Sequence, residues 1–117
     1  LTFVSDTVAA FMAAGAAPKI AYGCPYNAGS QRASPVSDLI DMVIALTDCG
    51  KRVQQEDSRF RPTNSEVRAL LADCARFERE TGWRPKVSLR DGLEQTIAWW
   101  RARLSQGRVR RQKDFIT

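Results

Sequence analysis

Gly82-Trp83-Arg84-Pro85-Lys86-Val87-Ser88-Leu89-Arg90-Asp91-Gly92-Leu93 is the most legible stretch of this 117-residue sequence. Gly82 is a helix stop, since a glycine just past a helix adopts the left-handed backbone that side chains resist. Trp83-Arg84-Pro85 is extended, because the residue before a proline avoids the α region. Ser88-Leu89-Arg90-Asp91 resembles a capping box, with Asp91 where Glu is usual. Behind it Leu89, Leu93, Ile97, Trp100 and Leu104 recur at helical spacing, so a helix with one apolar stripe is predicted, Trp100 buried in it and Trp99 half exposed. Trp83 reads as a core anchor.

Upstream, Asp73 can cap a short helix over Cys74 to Thr81. Glu66 to Leu71 holds Val67, Leu70 and Leu71 and is either a helical turn or a short strand. Arg59 to Asn64 is irregular, because Pro62 forbids a helix interior. Lys51 to Gln55 is an edge-strand candidate. A further helix opens with Ser34 at its cap and Pro35 at its first position. It carries Val36, Leu39, Ile40, Val43 and Ile44 on one stripe and stops at Gly50. Cys24 to Asn27 is a short strand candidate, and Leu1 to Val4 could end another. Between them Ser5 or Asp6 can cap a helix with Val8, Phe11 and Met12 on one face, ended by Gly15 through Pro18. The expected class is α/β, with short strands and three or four helices. Residues 1–104 form one lobe, and 105–117 a basic and mobile tail.

The apolar fraction of 44% and charged fraction of 26% are those of a soluble globular domain. The formal charge of +5 comes from the end of the chain. Arg101, Arg103, Arg108, Arg110, Arg111 and Lys113 face one acid there, Asp114, and the remainder is close to neutral. No apolar run reaches membrane-spanning length, so no membrane association is expected. Leu1 follows neither an initiator Met nor a basic n-region. The expectation is no signal peptide, and a sequence that begins inside a longer product. Cys24, Cys49 and Cys74 include no CxxC pair, which suggests reduced, small buried thiols in a cytoplasmic protein. With no His at all, imidazole bases, Ser-His-Asp and Cys-His sites and the commonest zinc ligand are excluded, and no metal site is expected.

No GxGxxG or GxxxxGK[ST] loop and no Tyr-x-x-x-Lys pair occurs, so no cofactor site and no catalytic residue is assigned to the chain. Spaced polar residues suggest binding instead. Asn27 and Ser30 flank Gly29, where backbone can approach a ligand closely. Arg59 and Arg61 sit on either side of Phe60 in a proline-stiffened loop, a setting suited to bidentate phosphate recognition. Glu66 lies within reach of sugar hydroxyls held by the same loop. The competing interpretation is that these arginines pair on the surface with Glu56, Asp57 or Glu66.

The runs Arg61-Pro62-Thr63-Asn64-Ser65-Glu66-Val67, Leu70-Leu71-Ala72-Asp73, Gly82 to Leu89, Gly92-Leu93 and Thr96-Ile97-Ala98-Trp99-Trp100 resemble the carboxyl-terminal part of the extended short-chain dehydrogenase/reductases. These are NAD-dependent nucleotide-sugar epimerases and dehydratases, and the nearest in pattern are the sugar-nucleotide 4,6-dehydratases. Thr2 to Val8 and Tyr26 to Ser30 agree with the same family, so the resemblance spans roughly residues 1 to 104. It implies the small substrate-binding lobe of such an enzyme, its Rossmann half absent. The Rossmann half would carry the NAD(P) site and the catalysis. Arg61 would meet the diphosphate, with Arg59 beside it, Glu66 would meet a ribose hydroxyl, and Asn27 would lie near the site. Asp6 and Thr7 would open the first helix. Gln31-Arg32 departs from the family's commoner Gly-Arg or Gly-Glu, and Cys74-Ala75-Arg76 departs after Asp73.

The expectation is therefore a nucleotide-sugar-binding lobe, not catalytic in isolation, whose parent would be an NAD-dependent enzyme. The alternative is a free-standing truncated remnant that self-associates through surface the absent half would cover, around the first helix and Trp99. A third possibility, a basic nucleic-acid-binding module, rests on the arginine-rich end alone, without a recognition motif.

Overall fold

The computed structural model describes residues 1–54 and 69–109. They contain α1 (Val4–Ala16), α2 (Val36–Thr47), α3 (Ala75–Thr81) and α4 (Leu89–Ser105), with α1 packed on α3 and α2 on α4. No strand occurs among the described residues, which corrects the α/β expectation to an all-helical architecture. An extended segment becomes a strand only when a neighbour completes its hydrogen-bond ladder. Here Val4 is already helical, and neither Cys24 to Asn27 nor residues 51–54 meet a partner. The backbone donors near Cys24 are satisfied otherwise. Cys24 N–H donates to the Ala21 carbonyl at 3.3 Å, and Ala21 N–H donates to the Tyr26 hydroxyl at 2.9 Å.

The helices start and stop close to the positions the sequence marks. Ser88 caps α4: its Oγ accepts the Asp91 N–H at 3.1 Å and donates to the Asp91 carboxylate at 2.6 Å, so both members of the box are used. Gly82 closes α3 at φ +71°, left-handed as expected. The Asp73 carboxylate accepts the Ala75 N–H at 2.9 Å at the front of that helix. α3 begins at Ala75, with Cys74 at its cap position, and both boundaries of α2 shift by a residue or two. Pro35 rather than Ser34 holds the cap position of α2. The left-handed residue ending α2 is Asp48, at φ +51°, not Gly50.

The core is small and aromatic. Ala10, Phe77 and Trp83 are buried together, with Ala13, Ala14, Ile20 and Tyr26 packed against them. Tyr26, Phe77 and Trp83 form an edge-to-face row, with centroid separations of 5.9 and 5.6 Å and both interplanar angles 60°. Burying a large apolar side chain contributes about 1.5–3 kcal/mol, so Phe77 and Trp83 are principal holders of the fold. Trp83 is thus the core anchor that the sequence suggests. Gly92 lets α4 approach the N-terminal segment: a Cβ there would lie 3.1 Å from the Phe3 ring.

One burial expectation is reversed and a second holds only in part. Periodicity puts Trp100 in a buried stripe on α4, yet it is about half exposed, like its neighbour Trp99. Leu89, Leu93 and Ile97 are half buried, and the side of α4 beyond them faces solvent. Of the three free cysteines only Cys74 is fully buried; Cys49 is half buried and Cys24 exposed. Cys24 sits in the exposed turn that follows Gly23, at φ +77°.

Candidate functional site

The site begins with a buried carboxylate. Asp6 does not cap α1; the cap position is Phe3, with Asp6 in the first helical turn. Its carboxylate reaches across the chain to the extended segment before α4. One oxygen accepts the Lys86 N–H at 3.1 Å and the other the Val87 N–H at 2.9 Å. Two backbone donors that a neighbouring strand would take in a sheet are thus held by one side chain. The clamp fixes Arg84 to Ser88 against the N-terminal segment and so shapes one wall of a cleft.

That cleft encloses about 820 Å³, within the range of small-molecule sites. Its walls are the N-terminal residues 1–3, the loop from Ser30 to Ser34, the clamped segment and the first two turns of α4. Arg32, Arg84 and Lys86 bring positive charge to it, and Ser30, Gln31, Ser34 and Ser88 bring neutral hydrogen-bonding groups. Glu78 is the acid among them. It pairs with Arg84 at 3.3 Å and accepts a hydrogen bond from the Gln31 amide, tying the loop at residue 31 to α3. Gln31 itself stands at φ +53°, a backbone conformation that glycine adopts freely and other residues seldom do. Of loop residues 30–34 it is the one with a positive φ. A smaller recess of about 310 Å³ near Ala10, Phe77 and Trp83 is lined almost wholly by apolar groups and offers little to a charged ligand.

A second polar cluster sits on the far side of Phe77. The Tyr26 hydroxyl donates to Glu80 and accepts from Arg76 at 3.1 Å, while Arg76 also pairs with Glu80 at 3.1 Å and lies 4.4 Å from the centre of the Tyr26 ring. The hydrogen bond from Tyr26, and then that from Arg76, hold the Glu80 carboxyl below its ordinary value. The hydrogen bond to Glu80 in turn raises the Arg76 guanidinium further. All three side chains satisfy one another, as in a structural brace.

Of the residues singled out from sequence, Arg59, Arg61 and Glu66 lie outside the described residues. Asn27 is exposed in the loop after Tyr26. Ser30 is half buried and lines the cleft. Gly29 between them faces protein: its carbonyl accepts from the Cys74 thiol at 3.9 Å, and a Cβ would make ordinary contacts with Ala72 and Thr2. The cleft's cations were not selected from sequence. Arg84 and Lys86 lie in the run whose sequence signals are the extended course before Pro85 and the Ser88 cap, and Arg32 follows Gln31 in the loop. The available signal was alternation: Arg84 and Lys86 flank a proline in an extended run, which places both on one side of the chain.

Among the described residues no cluster of three or more His, Cys, Asp or Glu side chains could hold a metal ion, and no helix is long and apolar enough to cross a membrane.

No family model matches the sequence, and no solved structure matches it either. The chain is similar to GDP-6-deoxy-D-mannose reductase of Pseudomonas aeruginosa, with 24% identity over 84 residues. The alignment covers 72% of this chain but only 27% of the reductase, so the chain spans about a quarter of that relative's length. This similarity is a distant link to the extended short-chain dehydrogenase/reductases and to a sugar-nucleotide-related domain.

Proposed function

We propose that this chain is a nucleotide-sugar-binding lobe of the epimerase/dehydratase kind, without catalysis of its own. The observation that carries the proposal is the 84-residue alignment with a reductase named for a GDP-linked deoxysugar. The cleft beside α4 supports it: a nucleoside diphosphate sugar needs cations for its phosphates and neutral donors and acceptors for its hydroxyls. Arg32, Arg84 and Lys86 supply the first, and Ser30, Gln31 and Ser34 the second. Arg61 and Arg59 are assigned to the diphosphate, Glu66 to a ribose hydroxyl, and Asn27 to the rim of the site. A nicotinamide cofactor is assigned to a longer parent and not to this chain, whose sequence has no glycine-rich phosphate loop and no Tyr-x-x-x-Lys pair. NAD(P) would belong to the Rossmann half of a longer parent acting in the cytoplasm.

Titration calorimetry with GDP, a GDP-linked hexose and a UDP-linked hexose tests this. Saturable binding of at least one is expected. Arg61→Ala and Arg84→Ala should each weaken it roughly tenfold or more, as loss of a charge-assisted hydrogen bond worth about 1.5–3 kcal/mol requires. Failure of all three ligands to bind would sink the proposal. Binding lost in Arg61→Ala but untouched in Arg84→Ala would move the site away from the cleft.

A further inference from the structure

Glu78 is the one acid among the described residues that line the cleft, where it stands against the cations Arg32, Arg84 and Lys86. It cancels one of the three positive charges there. The fold holds it in place. Glu78 lies in the middle of α3, one residue after the buried Phe77 and two before Glu80, which is committed to Tyr26 and Arg76. Both of its oxygens meet groups of the cleft wall. One accepts from the Gln31 amide, and the other lies 3.3 Å from Arg84 Nε. The Glu78 side chain is 19% exposed, so its charge is screened less than that of a free surface carboxylate. Arg84 is 78% exposed, and a cation that open gains little order from one contact. Orienting Arg84 is therefore the smaller effect of Glu78, and its negative field inside the cleft the larger.

On the sugar-nucleotide reading above, we propose that Glu78 is a specificity determinant: its charge shifts the cleft's preference from the uncapped nucleoside diphosphate toward the sugar-capped one. A phosphate esterified on both sides carries one negative charge. A terminal phosphate carries about 1.5–2 at neutral pH. Removing the sugar thus adds up to one negative charge at the end of the ligand. Arg32, Arg84 and Lys86 attract that extra charge, and without an opposing acid they would hold the uncapped nucleotide best. Glu78 repels it within the same cleft. Like charges held that close in the intermediate dielectric of a protein surface change an affinity about tenfold. The capped ligand meets less of this repulsion, and Ser30, Gln31 and Ser34 offer its sugar hydroxyls partners that the uncapped nucleotide does not use.

Titration calorimetry of the wild type and Glu78→Gln with GDP and with a GDP-linked hexose, at neutral pH and low ionic strength, provides the test. Glutamine keeps an oxygen to accept the Gln31 amide and removes only the charge. Comparison with the wild type cancels every other charge around the cleft. Affinity for GDP should rise roughly tenfold and that for the hexose only about threefold, so preference for the capped ligand falls about threefold. The changes should shrink as salt is added. Glu78→Asp retains the charge and should keep the wild-type preference. Glu78→Ala loses it and should repeat the glutamine result. The helical circular dichroism of each variant should match the wild type. A preference unchanged in both neutral variants overturns the proposal, and binding of both ligands then leaves the sugar-nucleotide reading standing. Loss of hexose affinity with GDP unaffected also overturns it, making Glu78 an acceptor for a sugar hydroxyl. Weaker binding of both ligands overturns it in favour of Glu78 as a positioning residue for Arg84. Failure of the wild type and every variant to bind either ligand overturns it together with the reading it rests on.

Discussion

Asp6 and Val87 are 81 positions apart in sequence, and the carboxylate of the first accepts the backbone N–H of the second at 2.9 Å. With the matching bond to Lys86 N–H, this ties the first turn of α1 to the segment that launches α4. Helices of this length gain most of their stability from tertiary packing, so a contact between their ends sets how the elements meet.

Asp6→Ala leaves two backbone donors without their acceptor in a partly buried position. A loss of about 2–4 kcal/mol is expected, since hydrogen bonds to charged groups are worth about 1.5–3 kcal/mol each and share one side chain here. Asp6→Asn retains one acceptor oxygen but turns an amide donor toward the second N–H, and should cost about 1–3 kcal/mol. Urea unfolding followed by tryptophan fluorescence measures both. A midpoint unchanged in Asp6→Ala would show that the clamp contributes nothing.

Trp83 packs against Phe77 in the core, yet its buried indole N–H has no hydrogen-bond acceptor among the described residues. Packing and polarity therefore make separable contributions. Trp83→Phe keeps much of the packing and removes the orphan donor, so a cost under about 1.5 kcal/mol is expected. Trp83→Ala opens a cavity and should cost about 3–5 kcal/mol. Equal losses in the two variants would mean that the N–H is satisfied in solution.

The end of α2 carries an avoidable penalty. Asp48 occupies the left-handed cap position, and no basic residue lies in the last turn. A negative charge there opposes the helix dipole. Asp48→Asn keeps a residue that tolerates the left-handed conformation and removes the charge, so a gain of about 0.3–1 kcal/mol is expected, shrinking in high salt. Thermal unfolding at two ionic strengths checks the sign and the salt effect together.

Glu80 gives the fold an acid-sensitive contact. Its carboxyl is held below its ordinary value of 4.5, first by the Tyr26 hydroxyl and then by Arg76. A group whose folded value is depressed stabilises the fold above its unfolded value, and that stability is lost as pH falls through the folded one. Stability from this contact should thus be complete above about pH 4.5 and decline below it. Glu80→Gln and Tyr26→Phe should both flatten that part of the stability profile. A Tyr26→Phe profile identical to wild type would remove the hydroxyl as the cause.

Several local signals were sufficient by themselves. Ser88 and Asp91 lie three residues apart and complete each other's bonds within one turn, so their capping role needs no other element. Gly82 ends α3 because its own backbone can take φ +71°. The extended course of Trp83 to Pro85 follows from proline sterics alone. Those same residues gave the family resemblance and hence the link to sugar-nucleotide enzymes that the comparison with the reductase supports in coarse form.

Features that depend on a neighbour could not be read that way. Cys24 to Asn27 has the composition of a strand, but a strand exists only where a second one pairs with it, and the described fold supplies none. Periodicity shows that one face of a helix is apolar without saying what will cover it, so Trp100 ended exposed. On α1 two apolar faces competed, and the alanine face won because close packing on Phe77 and Trp83 admits small side chains. The sequence by itself thus determined the Ser88 cap, the Gly82 stop and the helical periods, which arise between residues a turn apart, while the caps of α1 and α2 and the stop of α2 fell a few residues from where it marked them. The inward turn of Asp6, the cations of the cleft and the outward stripe of α1 depend on contacts across the whole fold, and folding alone selected them.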